Sequence, residues 1–168
     1  AVTTHKQLKT EVPQGYTAIR TPADFMKIAE NPSGKYILMN NISLEQVKLA
    51  EGQTSYIMKR FEGELDGNNQ VIHGLRASLF DSISGTSSKK AVVKNLHVQN
   101  VFVNAGYKDI FDWQGKPVLA EANGLAREVS NGRLETIYMN CVKLNGGGNT
   151  GALGGLGLLF FAYICSLK

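Results

Sequence analysis

Apolar residues recur at two different periods along this chain. Between Thr21 and Glu30 they fall at Phe25, Ile28 and Ala29, the spacing of one helix face. Thr21 suits an N-cap, Pro22 takes the first helical position, where its missing N–H costs nothing, and Asp24 follows three residues after the cap. Asn31-Pro32 ends the segment, because a residue before proline avoids the α region. The pattern predicts a single short amphipathic helix over 22–30.

From Gly34 onward the period changes to that of short strands separated by Gly and Asn. Apolar runs stand at 36–39, 42–44, 71–72, 79–80, 92–98, 101–103, 137–141 and 142–144. Phe61 to Leu65 alternates cleanly before the Asp66-Gly67 turn signal, which places Phe61, Gly63 and Leu65 on one face and Glu62, Glu64 and Asp66 on the other. No helical pattern lies between these runs, which excludes a doubly wound α/β sheet. Two all-β readings remain. A sandwich would use longer strands and hairpins, whereas a parallel β-helix uses strands of about three to five residues in coils of roughly 20 to 25. Strand brevity favours the β-helix, with about five coils of roughly 22 to 25 residues. Asn68, Asn69, Asn95, Asn100 and Asn140 stand at the edges of the runs. They either ladder along a stack or occupy turns in the left-handed region.

Composition agrees with turn-rich β structure: among 168 residues only 19% are charged, with 18 Gly and 13 Asn. The net charge of +4 is spread along the chain, so no basic stripe marks a nucleic-acid partner. Cys141 and Cys165 are too few for a disulfide framework; one bridge stays open, but buried lone thiols are the favoured reading. Ala1 to Glu11 is polar and lacks a signal peptide's apolar core, which fits a cytoplasmic chain or a piece of a longer exported one. The apolar run Leu158 to Cys165 is too short to span a bilayer, and as an uncapped end it is expected to drive self-association.

The segments YILMNNISL (36–44), FEGELDGNN (61–69), VIHGL (71–75), LF (79–80), VKNLHV (93–98) and GALGGL (151–156) follow one another in an order that resembles a known family. They look like the GLUG-repeat right-handed β-helix of Gram-positive surface proteins. The nearest case is the non-catalytic N-terminal region of streptococcal IgA1-specific zinc metalloendopeptidases. The resemblance implies an all-β, right-handed parallel β-helix with a short N-terminal capping helix. It divides the chain into a polar segment 1–15, a β-helix domain 16–157 and an apolar tail 158–168. It implies a binding or spacer module on a secreted or wall-attached protease, with a host glycoprotein or the rest of the parent as partner. Zinc would belong to the parent's catalytic domain. A zincin needs HExxH, and His5, His73 and His97 are followed by Lys6, Gly74 and Val98, so no catalytic or metal role is carried onto this chain.

Chemistry-bearing residues are few. Glu62, Glu64 and Asp66 on one strand face would suit Ca²⁺ or the acid and base of a glycosidase, and they are equally the solvated side of a half-buried strand. They carry the alternative function, a carbohydrate-active enzyme or adhesin acting on an acidic polysaccharide. Trp113, with Tyr107, Phe111 and Asp112, lies in a loop-like stretch, 104–117; packing onto the nearest coil is favoured over a ligand platform. His73 and His97 lack an evident third ligand.

Overall fold

The capping box forms where Thr21 and Asp24 predict it. In the computed structural model, which describes residues 8–148 and 150–153 but not the side chain of Asp109, the Asp24 N–H donates to Thr21 Oγ1 at 3.1 Å. The Thr21 N–H donates back to Asp24 Oδ2 at 3.2 Å. Helix α1 spans Pro22–Met26 and tightens into a 3₁₀ turn over Lys27–Glu30 ahead of Asn31-Pro32. Phe25 and Ile28 are its buried residues.

The rest is strand. β1 (Thr17–Ile19), β2 (Lys35–Leu38), β3 (Ile42–Ser43), β4 (Ser55–Ile57), β5 (Glu64–Asp66), β6 (Val71–Leu75) and β7 (Ser78–Ser84) come first. The long β8 (Ala91–Asn104) follows, then β9 (Tyr107–Phe111), β10 (Pro117–Leu119), β11 (Ala126–Ser130) and the long β12 (Gly132–Asn145). Among the described residues, only β9 with β10 pairs antiparallel. All other strand pairs are parallel, and they build three ladders.

The chain visits these ladders in a fixed order. In the first, Tyr36, Leu65, Val93 and Leu134 stand in register on successive passes. In the second, Ile42, Ile72, Val98 and Met139 do the same. In the third, Ile57, Phe80 and Ala126 align, with Phe61 bridging to Ile83 beside them. The three apolar columns meet in one core, where Leu65, Ile72, Phe61 and Phe80 are fully buried and the Phe61 and Phe80 rings lie 4.8 Å apart. The return to the first ladder takes 29 residues from Tyr36 to Leu65 and 28 from Leu65 to Val93, more than the 22 to 25 expected. Loops at 44–54 and 85–90 account for the excess. The next return, from Val93 to Leu134, takes 41 residues because the β9–β10 hairpin is inserted in it.

Single residues make the corners. β8 pairs with β5 through Val92–Lys94 and with β6 through His97–Val101, and Asn95 turns the strand between the two ladders at φ +52°. Thr136 of β12, between the partners of Lys94 and Leu96, repeats the bend at φ +53°. A second column stacks Gly74 (φ +80°), Asn100 (φ +55°) and Cys141 (φ +51°). Asn68 and Asn69 are also left-handed, so the turn reading of the asparagines holds at 68, 69, 95 and 100. An Asn–Asn rung does occur, but elsewhere: Asn145 Nδ2 donates to Asn104 Oδ1 at 2.7 Å.

Thr136 is the least suited occupant of its corner, since a β-branched residue at positive φ crowds its own backbone. Its side chain is exposed, so asparagine fits there without burying a polar group. Thr136→Asn should raise stability by about 1 kcal/mol, read as a higher urea midpoint with unchanged slope. A lower midpoint would show that the threonine side chain makes a compensating contact.

Candidate functional site

The acidic face predicted on β5 exists but is not open. Phe61 and Leu65 are buried as the alternation requires, yet they belong to different ladders, and the chain turns between them. Gly63 sits in that turn, where a Cβ would stand 2.0 Å from the Gly34 carbonyl oxygen. Glu62 lies against Arg60 at 3.0 Å and accepts from Ser33 at 3.3 Å. Glu64 Oε1 takes the Tyr16 hydroxyl and, at 2.9 Å, the Lys94 ammonium. Asp66, expected on the solvated side, is 1% exposed. Its Oδ2 meets Lys9 Nζ at 2.7 Å, and its Oδ1 accepts from the Asn68 N–H at 2.8 Å and from Asn95 Nδ2 at 3.3 Å.

The reason for this burial lies far away in sequence. The N–H of Lys9 donates to Asn68 Oδ1 at 2.7 Å, and Asn68 Nδ2 donates to the carbonyls of Lys9 (3.0 Å) and Leu38 (3.1 Å). The N-terminal segment is thereby held across the outward side of β5. Burial alone would raise the Asp66 carboxyl, but hydrogen bonds from Lys9, Asn68 and Asn95 outweigh it and hold the group below its usual range. Glu64 follows the same logic, with Tyr16 and Lys94 outweighing burial. A glycosidase acid needs a carboxyl raised toward neutrality, and both groups move the other way.

Trp113 corrects the opposite expectation. The stretch read as a loop is the β9–β10 hairpin, and Trp113 stands at its tip 91% exposed rather than packed on a neighbouring pass. Asp112 Oδ1 accepts from the N–H groups of Gln114 (2.8 Å) and Lys116 (2.9 Å), while Gly115 takes φ +76°. This is a three-residue connection closed by a left-handed glycine, so the Asp112…Gly115 spacing was the sequence signal for it. Tyr107 (69%), Ile110 (53%) and Phe111 (67%) are exposed on the same hairpin. Its base is fixed by the Lys108–Glu121 ion pair at 2.8 Å and by the Ala120 N–H donating to the Gly106 carbonyl at 2.9 Å.

The histidines do not converge on a metal. His73 Nε2 is 2.6 Å from Asn100 Nδ2 and its Nδ1 is 3.5 Å from Glu45. His97 stacks on Tyr138, and burial pushes its imidazole down. Among the described residues no group of three His, Cys, Asp or Glu side chains could hold a metal ion, so the donor set here does not fit zinc. None of the described cysteines is free, which corrects the lone-thiol reading at Cys141. Cys165, His5 and the tail 158–168 lie outside the described residues. Among those described, no helix is long and apolar enough to cross a membrane.

Lys9→Ala leaves a buried carboxylate without its cation and should cost about 1 to 3 kcal/mol, while Glu62→Ala, half-exposed, should stay within about 0.5 kcal/mol. Urea titration separates the two. A carboxylate lowered on folding stabilises the fold above its unfolded value, near 4, and that contribution fades as pH falls through the folded value. Urea midpoints should therefore drop below about pH 4 to 5, and Asp66→Asn should flatten the drop. A midpoint that holds steady to pH 3 would contradict the assignment.

The comparison with known proteins follows the same region. The Immunoglobulin A1 protease of Streptococcus pneumoniae (strain ATCC BAA-255 / R6) is 30% identical over 120 residues, 68% of this chain and 5% of its own length. Its namesake in S. pneumoniae serotype 4 (strain ATCC BAA-334 / TIGR4) is 36% identical over 75 residues, 42% of this chain and 4% of its own length. The zinc metalloprotease ZmpC of that strain is 32% identical over 97 residues, 55% of this chain and 5% of its own length. The chain thus spans about one twentieth of these relatives. No solved structure matches it. The profile of the M26 IgA1-specific metalloendopeptidase N-terminal region matches residues 20–134, from the start of the helix cap into β12. With well over half its length matched, the chain belongs to that family.

Proposed function

We propose that this chain is a right-handed parallel β-helix of the GLUG-repeat kind and serves as a non-catalytic binding and spacer module. Its parent would be a secreted or wall-attached zinc metalloendopeptidase that cleaves host glycoproteins such as immunoglobulin A1. The order of the three ladders supports the fold reading, since the chain goes round them in one direction with every return parallel. Crossovers between parallel strands are overwhelmingly right-handed. Family membership supports the parent, because its relatives carry the names of immunoglobulin A1 and zinc metalloproteases. Zinc and peptide cleavage then belong elsewhere in the parent.

One observation carries the binding role. Four large apolar side chains, Tyr107, Ile110, Phe111 and Trp113, are held out on a braced hairpin, away from a core that is already filled. Rigid aromatic rings lose little side-chain entropy on binding, and they dominate the energetics of interfaces. The acidic face of β5 is a weaker candidate, because Glu62, Glu64 and Asp66 are each taken by a cation of the chain itself.

The test uses the 168-residue chain with immobilised immunoglobulin A1. Binding without heavy-chain cleavage is expected, with or without added zinc. Trp113→Ala should weaken binding at least about tenfold and leave the melting temperature unchanged. Cleavage by the fragment would sink the non-catalytic reading, and binding indifferent to Trp113 would sink the hairpin's role.

A further inference from the structure

The third ladder opens on a polar column. Successive passes enter it with Ser55, Ser78 and Asn123, all buried, before the apolar column of Ile57, Phe80 and Ala126 begins. Ser55 and Ser78 pair in register, and the Leu79 N–H donates to the Gly124 carbonyl at 2.9 Å, which sets Asn123 beside them on the next pass. Asp81 stands three residues after Ser78, and Glu121 two before Asn123. Both carboxylates are only partly exposed, and with the polar column they line a cavity of about 40 Å³ that Arg127 also borders. A single water needs about 10 to 15 Å³, so the space admits one ion with a water or two.

One group in this wall is unmatched. Asn123 is 4% exposed, and its Oδ1 is the buried side-chain atom among the described residues that has no hydrogen-bond partner. Buried polar atoms are almost always paired, so an orphaned acceptor marks a place for a donor or a cation. Its neighbours offer oxygen as well. Ser78 Oγ spends its proton on the Phe80 carbonyl at 2.7 Å and keeps its lone pairs. Glu121 gives Oε1 to Lys108 at 2.8 Å, which leaves Oε2. Asp81 holds Arg127 at 3.0 Å, but that guanidinium is half-exposed and also reaches Glu128 at 3.6 Å, so it has a second carboxylate to turn to. Asp81, Glu121 and Glu128 thus face Lys108 and Arg127, three negative charges against two positive. On β5, by contrast, both oxygens of Asp66 are already filled by Lys9, Asn68 and Asn95.

We infer that this cavity is a calcium site, with Asn123 Oδ1 and the carboxylates of Asp81 and Glu121 as its ligands. Calcium takes roughly six to eight oxygens, drawn from carboxylates, amide carbonyls and water, in a tolerant geometry. Serine and threonine hydroxyls at 54, 55 and 78 and bound water complete the shell. As the ion enters, Arg127 releases Asp81 and stays with Glu128. Zinc would want nitrogen or sulfur ligands, which the cavity lacks. Magnesium demands a near-ideal octahedron and gives up its water reluctantly, which suits ligands fixed on separate passes poorly. The ammonium of a partner's lysine would satisfy the amide, but the cavity has no room for its stem. The site does not depend on the role given to the exposed hairpin rings.

The probe is calcium chloride, titrated into the 15N-labelled 168-residue chain after treatment with a chelator, with magnesium chloride as the control. Calcium should shift the backbone amides of Ser78, Asp81, Glu121 and Asn123 and the Asn123 side-chain amide. The shifts should saturate with a midpoint of about 0.1 to 1 mM, the range of extracellular calcium modules. Asp81→Asn and Glu121→Gln should each weaken binding at least about tenfold, and Asn123→Ala at least about threefold. Arg127→Gln removes the competing cation and should tighten binding, a direction that damage to the fold cannot produce. Glu62→Gln, on the β5 side, should change nothing. Asp81, Glu121 and Arg127 reach the surface, so their variants keep the fold, and the wild-type shift map stands without them. No shift up to about 10 mM calcium would overturn the site and leave a buried water as the partner of Asn123. Shifts centred on the β5 acids would overturn it as well. Magnesium binding as tightly as calcium, or weaker calcium binding by Arg127→Gln, would overturn the ligand assignment.

Discussion

A parallel strand cannot return to its neighbour through a two-residue turn; the chain has to travel round before it pairs again. In doubly wound proteins helices cover that distance. Here the distance is covered by more strand, and the hydrogen-bonding that would be lost in long loops is recovered in a second and third ladder. The arrangement works only if the chain changes direction without breaking the pairing on either side. That demand falls on single residues in the left-handed region, at Asn95 and Thr136 in one corner and at Gly74, Asn100 and Cys141 in the other. Because the bends recur at matched register, β8 and β12 stay paired from Ala91–Gly132 to Asn104–Asn145 through both of them.

The same requirement explains what could be read from the sequence. The helix was written in local chemistry, in Thr21, Pro22, Asp24 and Pro32, and its span was legible. The inward residues Phe61 and Leu65 were legible because alternation holds across their stretch, whereas β2, β4 and β7 are buried almost throughout and carry no such period. Position within the fold was not legible. Phe61 and Leu65 alternate perfectly and yet sit in different ladders, since one corner between them leaves the pattern intact. β4 and β11 were missed because three to five residues with mixed side chains carry too little period to detect. The hairpin was missed for the opposite reason: its outward aromatic residues look like those of a packed segment.

The candidate residues fared according to who their neighbours are. Asp66 could not be recognised as buried from its own strand, because the cover comes from Lys9, 57 residues earlier. Trp113 could not be recognised as exposed, because nothing local distinguishes a ring that packs from one that does not. The outcome divides the surface into regions of different use. The β5 side is closed by internal ion pairs that brace the N-terminal segment. The hairpin projects apolar area that the core does not require.

The hairpin also shows how such a protein can change. It sits between β8 and β11, lengthening one return by about a dozen residues, yet the pairing of β8 with β12 shows no slip across it. Length added outside the ladders is thus invisible to the core, and selection on a partner can act there without being paid in foldability. A scaffold of this kind separates the inheritance of its shape from the inheritance of its contacts. The columns of Leu65, Val93 and Leu134 keep the architecture, while a graft at residues 105–121 alone could give the molecule a different partner.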